Sequence, residues 1–177
     1  SPLEVRNMAE GDTPDDWITA QIAEGVSALD AAQWDALNIS TNPFVSHAFL
    51  AALEESGSVG SGTGWSPAPI ILRDEVGDIC GALPAYLKSH SQGEYVFDHA
   101  WADAYDRAGG RYYPKLQIAA PFSPVPGQRV LVRDDETALR LLRAAESVVL
   151  QNGLSSAHAT FVEEAQLDLF RKAGWLI

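Results

Sequence analysis

The sequence predicts an α/β (α+β) fold in which a mixed central sheet carries helices on both faces. Two apolar runs rich in strand-forming residues, 68–72 and 79–87, flank a turn-forming segment that contains Gly77, which is typical of a β-hairpin. Several other segments space their apolar residues as helices do, with polar caps before them and glycines after them. Strand and helix patterns follow one another along the chain, as they do in sheets covered by helices.

The first part of the chain is predicted to form two helices before the hairpin. Ser27 is expected to cap the first, which runs as far as Leu37 with Asp30 in its first turn. Ser46 is expected to cap the second, which ends at Gly57. Residues 56–65 read as a flexible glycine-rich loop. Because Ser-Pro-Ala-Pro follows and cannot open a helix, a phosphate-binding loop is disfavoured there.

The second part alternates strands and helices. Strands are predicted at 95–97, 115–120, 130–132 and 157–162, and helices at 99–108, from Asp134 or Asp135 to Gly153, and at 163–173. The last of these helices is expected to turn Leu167, Leu169 and Phe170 inward and to end at Gly174. A proline-rich loop at 121–127 separates two of the strands.

Composition limits the classes of partner. The net charge of −12 argues against general binding to nucleic acid or anionic membranes, because either would require a cationic surface. The single cysteine, Cys80, rules out a disulfide framework within the chain, and a cytoplasmic location is the simplest interpretation. No apolar stretch is long enough to span a membrane. Residues 1–26 are interpreted as a cloning remnant before Met8 followed by an acidic segment.

One segment differs from the rest of the chain in charge and aromatic content. All five tyrosines fall between Tyr86 and Tyr113, and residues 85–130 carry five basic against four acidic side chains. A near-neutral aromatic segment on a strongly acidic protein is what a cleft for a polar ligand would show. Expected ligand-binding residues are Lys88, Ser89, Trp101, Tyr105, Tyr112 and Lys115. Lys88 could instead be a solvated strand end, and the aromatic residues could be core or interface residues.

Three stretches resemble a known family: NPFVSHAFLAALEESGSVG, the long segment from YLKSHSQGEYVFDHAW to PGQRVLV, and LDLFRKAGW. They closely resemble bacterial N-acyltransferases described as peptidoglycan biosynthesis or recognition proteins, which are similar to the Fem-type (FemAB-like) aminoacyl transferases. The resemblance covers roughly residues 42–177. It implies a GNAT-like acyltransferase fold, with residues 27–177 as the first of two units and the chain truncated before the second.

The resemblance implies an N-acyltransferase that transfers an acyl or aminoacyl group to an amine of a cell-wall precursor or a related small molecule. Such transfer needs a base for the amine proton and donors for the oxyanion, and Asp98, Glu94 and His90 are the candidate bases. Asp98 could instead cap a helix. The donor would be an acyl-CoA or an aminoacyl-tRNA. Residues 132–136 depart from the acetyl-CoA pattern because they hold three acids and no glycine.

Further expectations follow from the resemblance and from side-chain spacing. This chain alone is expected to be inactive, and to be a homodimer or a marginally stable monomer, because loss of the second unit would expose an apolar face. The acceptor is expected to be a muropeptide-like small molecule. A metal site is not expected, since the histidines and acids of residues 90–103 lack the spacing of a zinc motif, and His47 and His158 are interpreted as structural. The alternative function is a noncatalytic module that recognises a peptidoglycan fragment or a protein.

Overall fold

A computed structural model describes residues 3–5, 20–89 and 114–177 of the chain. In these residues nine strands form two sheets. The first sheet is antiparallel throughout and has the order β1-β2-β4-β5-β8; its strands are Leu3–Val5, Ala20–Ile22, Ile70–Arg73, Ile79–Leu83 and Leu131–Val132. The second has the order β3-β6-β7-β9, with strands Trp65–Pro67, Ala85–Lys88, Lys115–Ile118 and Ala157–Ala159. Only β7 and β9 pair in parallel in this second sheet.

Four α-helices lie in the described residues. They are α1 (Ala31–Ala36), α2 (His47–Glu55), α3 (Asp135–Gln151) and α4 (Glu164–Lys172). Strand alternation gives the first sheet two apolar faces: Leu72 and Leu83 pack with α3, whereas Ile71 and Ala82 pack with the α1–α2 side. The predicted mixed α/β class with helices on both faces of a sheet is therefore confirmed. The strands, however, divide between two sheets and do not form one.

The two sheets are joined at Pro84. The sequence pattern predicts one strand over residues 79–87, but the structure has β5 end at Leu83 and β6 begin at Ala85 in the other sheet. Proline has no backbone N–H to donate to a ladder, so a strand is readily interrupted there. As a result, β6 places Tyr86 and Lys88 in the second sheet and not in the first.

Other boundaries differ from the sequence-based predictions for local reasons. Helix α1 begins at Ala31 and not after Ser27, because Asp30 caps it by accepting a hydrogen bond from the Gln33 N–H at 2.9 Å. Residues Val26–Ala28 form a short 3₁₀ turn, fastened by the Glu54 carboxylate, which accepts from the Val26 N–H at 2.7 Å. In α4 it is Gln166, and not Leu167, that joins Leu169 and Phe170 among the buried residues.

Several predicted helix ends are confirmed. Ser46 caps α2 by accepting from the Phe49 N–H, and Asp134 caps α3. Gly57, Gly153 and Gly174 follow helices α2, α3 and α4 with positive φ angles of 73°, 61° and 85°, which glycine adopts without a steric penalty. The predicted strand at 95–97 and helix at 99–108 lie outside the described residues.

Candidate ligand site on the second sheet

The second sheet has one polar face, which we define by Tyr86 and Lys88 on β6 and by Lys115 and Gln117 on β7. Antiparallel register places Lys88 directly opposite Lys115, and Tyr86 directly opposite Gln117. Side chains two residues apart on a strand point to the same side of the sheet, so the four groups share one face. The alternate residues, among them Ala85, Leu116 and Ile118, turn the other way into the main apolar core.

All four side chains of the polar face are buried. The exposed fractions are 1% for Tyr86, 0% for Lys88, 2% for Lys115 and 1% for Gln117. Burying lysine is unfavourable unless its ammonium group finds partners, and both lysines do make polar or electrostatic interactions. The interpretation of Lys88 as a solvated strand end is therefore wrong.

Aromatic rings border the lysine pair. The Lys88 Nζ lies 4.0 Å from the centroid of the Trp65 ring, a cation–π contact on the strand next to β6. Trp65 also packs edge-on against Tyr86, with ring centroids 5.4 Å apart, and against Phe122 at 5.6 Å. Phe122 has a φ of 60°, which is strained for a residue with a side chain. Phe122 is 42% exposed, so this group of aromatic residues reaches the surface.

Tyr86 keeps its phenol neutral. Burial, and secondarily the nearby Glu54 carboxylate, raise the pKa of Tyr86 well above its ordinary value. The hydroxyl group is thus an O–H donor throughout the physiological range. Within the part of the chain that the structure describes, this hydroxyl has no hydrogen-bond partner.

Among the described residues, the side-chain amide of Gln117 has a hydrogen-bond partner at its nitrogen and none at its oxygen. Its Nε2 donates to the Thr160 Oγ1 at 3.1 Å, whereas its Oε1 is buried with no hydrogen-bond partner among the described residues. Strand β9 pairs with β7 along the edge opposite to β6, and His158 of β9 lies in register with Gln117. The His158 Nε2 lies 2.7 Å from the Ser156 Oγ. A further polar side chain on β9 therefore lies beside the polar face.

The structure describes three of the nine predicted site residues, and the predicted roles of all nine stay predictions. Lys88 and Lys115 are brought together as cross-strand partners. Ser89 follows β6 and is exposed, and its backbone N–H donates to the Gly64 carbonyl at 3.2 Å. Six residues lie outside the described part of the chain, and their roles stay predictions: His90, Glu94, Asp98, Trp101, Tyr105 and Tyr112.

Sequence reasoning did not single out Tyr86 and Gln117 as site residues. A signal was present in the pattern Tyr-x-Lys at 86–88 and Lys-x-Gln at 115–117, where polar groups alternate with apolar ones. Such alternation indicates that one side of the strand differs from the core side. The two patterns become one site only through the β6–β7 register.

The start of α3 is unsuited to binding phosphate. The Asp134 side chain accepts hydrogen bonds from the Thr137 N–H at 2.8 Å and from the Thr137 hydroxyl at 3.1 Å. Asp135 and Glu136 occupy the first turn. These acids stabilise the positive end of the helix dipole, and they would repel a phosphate group at that position.

Arg129 is a buried cation with a structural role. Its guanidinium donates to the backbone carbonyls of Val125 at 2.8 Å, Gln128 at 3.2 Å and Thr160 at 3.0 Å. Burial lowers the pKa of Arg129 to about 10, and the Glu163 carboxylate partly offsets that effect. These bonds tie the proline-rich loop to the end of β9.

Neither a metal-binding cluster nor a membrane-spanning helix is present in the described residues. There, no three His, Cys, Asp or Glu side chains cluster closely enough to hold a metal ion. No helix of that same part of the chain has the length and apolar character needed to cross a membrane.

Comparison with known proteins gives one match. A sequence model of the FemAB-like family, described as peptidoglycan biosynthesis/recognition, matches residues 25–177. No curated protein and no solved structure matches the chain. The match covers both sheets from β3 onward and all four lining residues of the polar face. The chain therefore belongs to the FemAB-like family, whose function is related to peptidoglycan.

Proposed function

We propose that this protein acts in N-acyl transfer to a peptidoglycan precursor, and that the polar face of the second sheet binds the acceptor. The reaction would break the thioester of an acyl-CoA or the ester of an aminoacyl-tRNA, form an amide at an amine of the precursor, and release CoA or tRNA. The proposed acceptor is a muropeptide-like molecule with amide and carboxylate groups. The acyltransferase chemistry and the GNAT-like character of the fold are parts of this proposal, whereas the link to peptidoglycan comes from the family itself.

One feature supports an acidic, peptide-bearing ligand most directly: Lys88 and Lys115 face the same side of adjacent strands as direct partners. An ammonium group carries N–H donors and no acceptor, so the chemistry of both side chains suits ligand oxygen atoms. The rest of the protein is strongly acidic, with a net charge of −12. An anionic ligand would therefore be attracted to a local cationic site and repelled elsewhere.

The acidic start of α3 supports an acceptor site and argues against a coenzyme A site in this position. A pyrophosphate at that helix end would meet Asp135 and Glu136 beside the Asp134 cap. We propose that the donor is held elsewhere, as an acyl-CoA or an aminoacyl-tRNA bound mainly through a second acyltransferase unit. Under this proposal, residues 1–177 bind the acceptor and do not turn it over alone.

Transfer would require removal of a proton from the attacking amine and stabilisation of the oxyanion that forms on the acyl carbon. Asp98, Glu94 and His90 remain the proposed bases, because they follow β6 closely in sequence. Trp101, Tyr105 and Tyr112 are proposed to contact the acceptor. In this arrangement Lys88 and Lys115 bind and orient the ligand, and one of the three proposed bases takes the proton.

A noncatalytic recognition module is the second candidate. The acidic first turn of α3 favours it, because the carboxylates of Asp135 and Glu136 would repel the pyrophosphate of an acyl-CoA donor. Both candidates predict binding of a peptidoglycan fragment. They differ in whether an acyl group is transferred.

A thermal-unfolding titration with soluble muropeptide tests the shared part of the proposal. Ligand at 100 times its Kd stabilises the folded state by about 2.7 kcal/mol, which for a domain of this size raises the Tm by roughly 5–10 °C. A shift of this size, lost in Lys115→Met but kept in Lys172→Met, is the expected result. Lys172 is a suitable control because its side chain is 60% exposed on α4. Equal shifts in both variants would contradict a site on the polar face.

Turnover separates the two candidates. A protein carrying both acyltransferase units would be incubated with muropeptide and either acyl-CoA or aminoacyl-tRNA, and the product would be followed by mass spectrometry. The transferase proposal predicts a product whose mass has increased by the acyl group, and its loss in an Asp98→Asn, Glu94→Gln double variant that still binds muropeptide. Binding without product from either donor would leave a recognition module.

A further inference from the structure

Two buried polar atoms of the polar face have complementary chemistry. The Tyr86 hydroxyl and the Gln117 Oε1 are the buried side-chain atoms that have no hydrogen-bond partner in the described part of the chain. Both belong to one directly opposed pair of residues on β6 and β7. Buried polar atoms are nearly always paired in folded proteins, so two orphans on one cross-strand pair point to a missing common partner.

The two atoms differ in hydrogen-bonding role. Tyr86 holds its proton and therefore offers an O–H donor, and its ring is fixed by the edge-on contact with Trp65. Gln117 uses Nε2 toward the Thr160 Oγ1, which leaves Oε1 as an acceptor. Opposed residues on adjacent strands have Cβ atoms roughly 5 Å apart, so the two side chains extend from neighbouring points of the same face of the sheet.

A secondary amide matches this pair, because it presents one C=O acceptor and one N–H donor. We propose that Tyr86 and Gln117 form an amide-binding subsite, in which Tyr86 donates to a ligand carbonyl and Gln117 accepts the ligand N–H. The proposal deepens the function argued above and rests on it, since it identifies which part of a peptidoglycan fragment the polar face binds. Peptide bonds and the N-acetyl groups of amino sugars are the two sources of such an amide in that polymer.

The neighbouring lysines favour the peptide source. Lys88 lies two residues after Tyr86 on β6, and Lys115 lies two residues before Gln117 on β7. The lysine pair is therefore roughly 7 Å from the Tyr86–Gln117 pair. A peptide places a carboxylate within that distance of an amide, because an extended chain advances about 3.3–3.6 Å per residue. A neutral N-acetyl disaccharide has no carboxylate for the lysines.

Both side chains are 1% exposed, so a ligand reaches them only after neighbouring groups move. Association is accordingly expected to be slower than for an open surface site. Binding should therefore be measured at equilibrium after long incubation.

The test compares wild type with Tyr86→Phe by thermal unfolding without ligand and by calorimetry with two probes. The probes are a synthetic N-acetylated stem tripeptide ending in D-alanyl-D-alanine, and an N-acetylated disaccharide without peptide. The expected result is that Tyr86→Phe leaves the Tm unchanged or raises it, since an unpaired hydroxyl is removed, while the tripeptide Kd rises about tenfold. Gln117→Met should weaken the tripeptide to a similar degree. Exposed Gln151→Met, at the end of α3, is the matched control and should leave the Kd unchanged.

The contrary outcomes are distinct from one another. If wild type and Tyr86→Phe bind the tripeptide equally, or if Tyr86→Phe lowers the Tm without changing the Kd, the amide subsite is refuted while the proposed function stands. If the disaccharide binds and the tripeptide does not, the assignment to a peptide amide is overturned. If neither probe nor a soluble muropeptide binds wild type, the proposed function itself fails, and the subsite with it.

Discussion

Gln166 is expected to be essential for stability because it completes the hydrogen bonding at the start of β8. Its Oε1 accepts from the backbone N–H groups of Arg129 at 2.7 Å and Val130 at 3.1 Å. Its Nε2 donates to the Val130 carbonyl at 2.8 Å. The side chain is 7% exposed, so water cannot readily replace these bonds. The Gln166 side chain therefore forms the backbone hydrogen bonds that a neighbouring strand would otherwise form.

The loss in the free energy of unfolding that Gln166→Leu causes can be estimated from these hydrogen bonds. It leaves two buried N–H groups unpaired, whereas the Val130 carbonyl still accepts from the Gln128 Nε2 at 3.0 Å. Each buried N–H group without a hydrogen-bond partner costs about 1–3 kcal/mol, so the free energy of unfolding should fall by roughly 2–6 kcal/mol. Leucine and glutamine have similar helix propensities, which removes a local helical contribution from the difference.

Urea unfolding followed by tryptophan fluorescence measures this loss through linear extrapolation. The matched control is Gln151→Leu, at the exposed end of α3, which should change the free energy of unfolding by less than about 0.5 kcal/mol. A loss below about 1 kcal/mol for Gln166→Leu would refute the reasoning, because the two N–H groups would then have found other partners.

Three further predictions concern the first sheet and α3. Asp134→Ala removes the cap of α3 and should cost about 1 kcal/mol in urea unfolding; no change would mean that the cap is dispensable. Gly81→Ala would bring a Cβ to 2.8 Å from Thr137 and 2.9 Å from Leu141, so a loss of about 1–3 kcal/mol is expected, and an unchanged Tm would show that the helix shifts freely. Burial raises the pKa of the Cys80 thiol, so its alkylation by iodoacetamide at pH 8 should be slower in the folded protein than in urea; equal rates would contradict a protected thiol.

Local features of the fold could be predicted from the sequence where one short segment determines them. The Asp134 and Ser46 caps and the turn before β5 depend on residues within a few positions of one another. In that turn the Asp74 N–H donates to the Asp78 carbonyl at 2.9 Å, and Gly77 adopts a φ of 91°. Such interactions are fixed by side-chain chemistry and backbone preference before any tertiary packing.

The division into two sheets could not be predicted in this way. The apolar pattern continues through Pro84, and the pattern alone gives no reason for Ala85 to leave the first sheet. Strand pairing depends on contacts between residues far apart in the chain, such as Lys88 with Lys115. Leu3–Val5 likewise forms an edge strand by pairing with Ala20–Ile22, a partner that its own short sequence does not specify.

The candidate site could be predicted in part. Lys88 and Lys115 were identifiable from the contrast in charge between residues 85–130 and the rest of the chain. Their position opposite each other requires the β6–β7 register, and so does the pairing of Tyr86 with Gln117. A buried glutamine in a short strand gives little indication of its role until its hydrogen-bond partners are known.

Calorimetric titration of soluble muropeptide tests the central claim, that the polar face binds a peptidoglycan fragment. Wild type, Lys115→Met and the exposed control Lys172→Met would be compared after far-ultraviolet circular dichroism has shown that each is folded. The predicted result is saturable binding by wild type and Lys172→Met, with a Kd at least about tenfold higher for Lys115→Met, since a hydrogen bond to a charged group contributes about 1.5–3 kcal/mol. Equal affinity in all three proteins, or no binding by wild type, would contradict it.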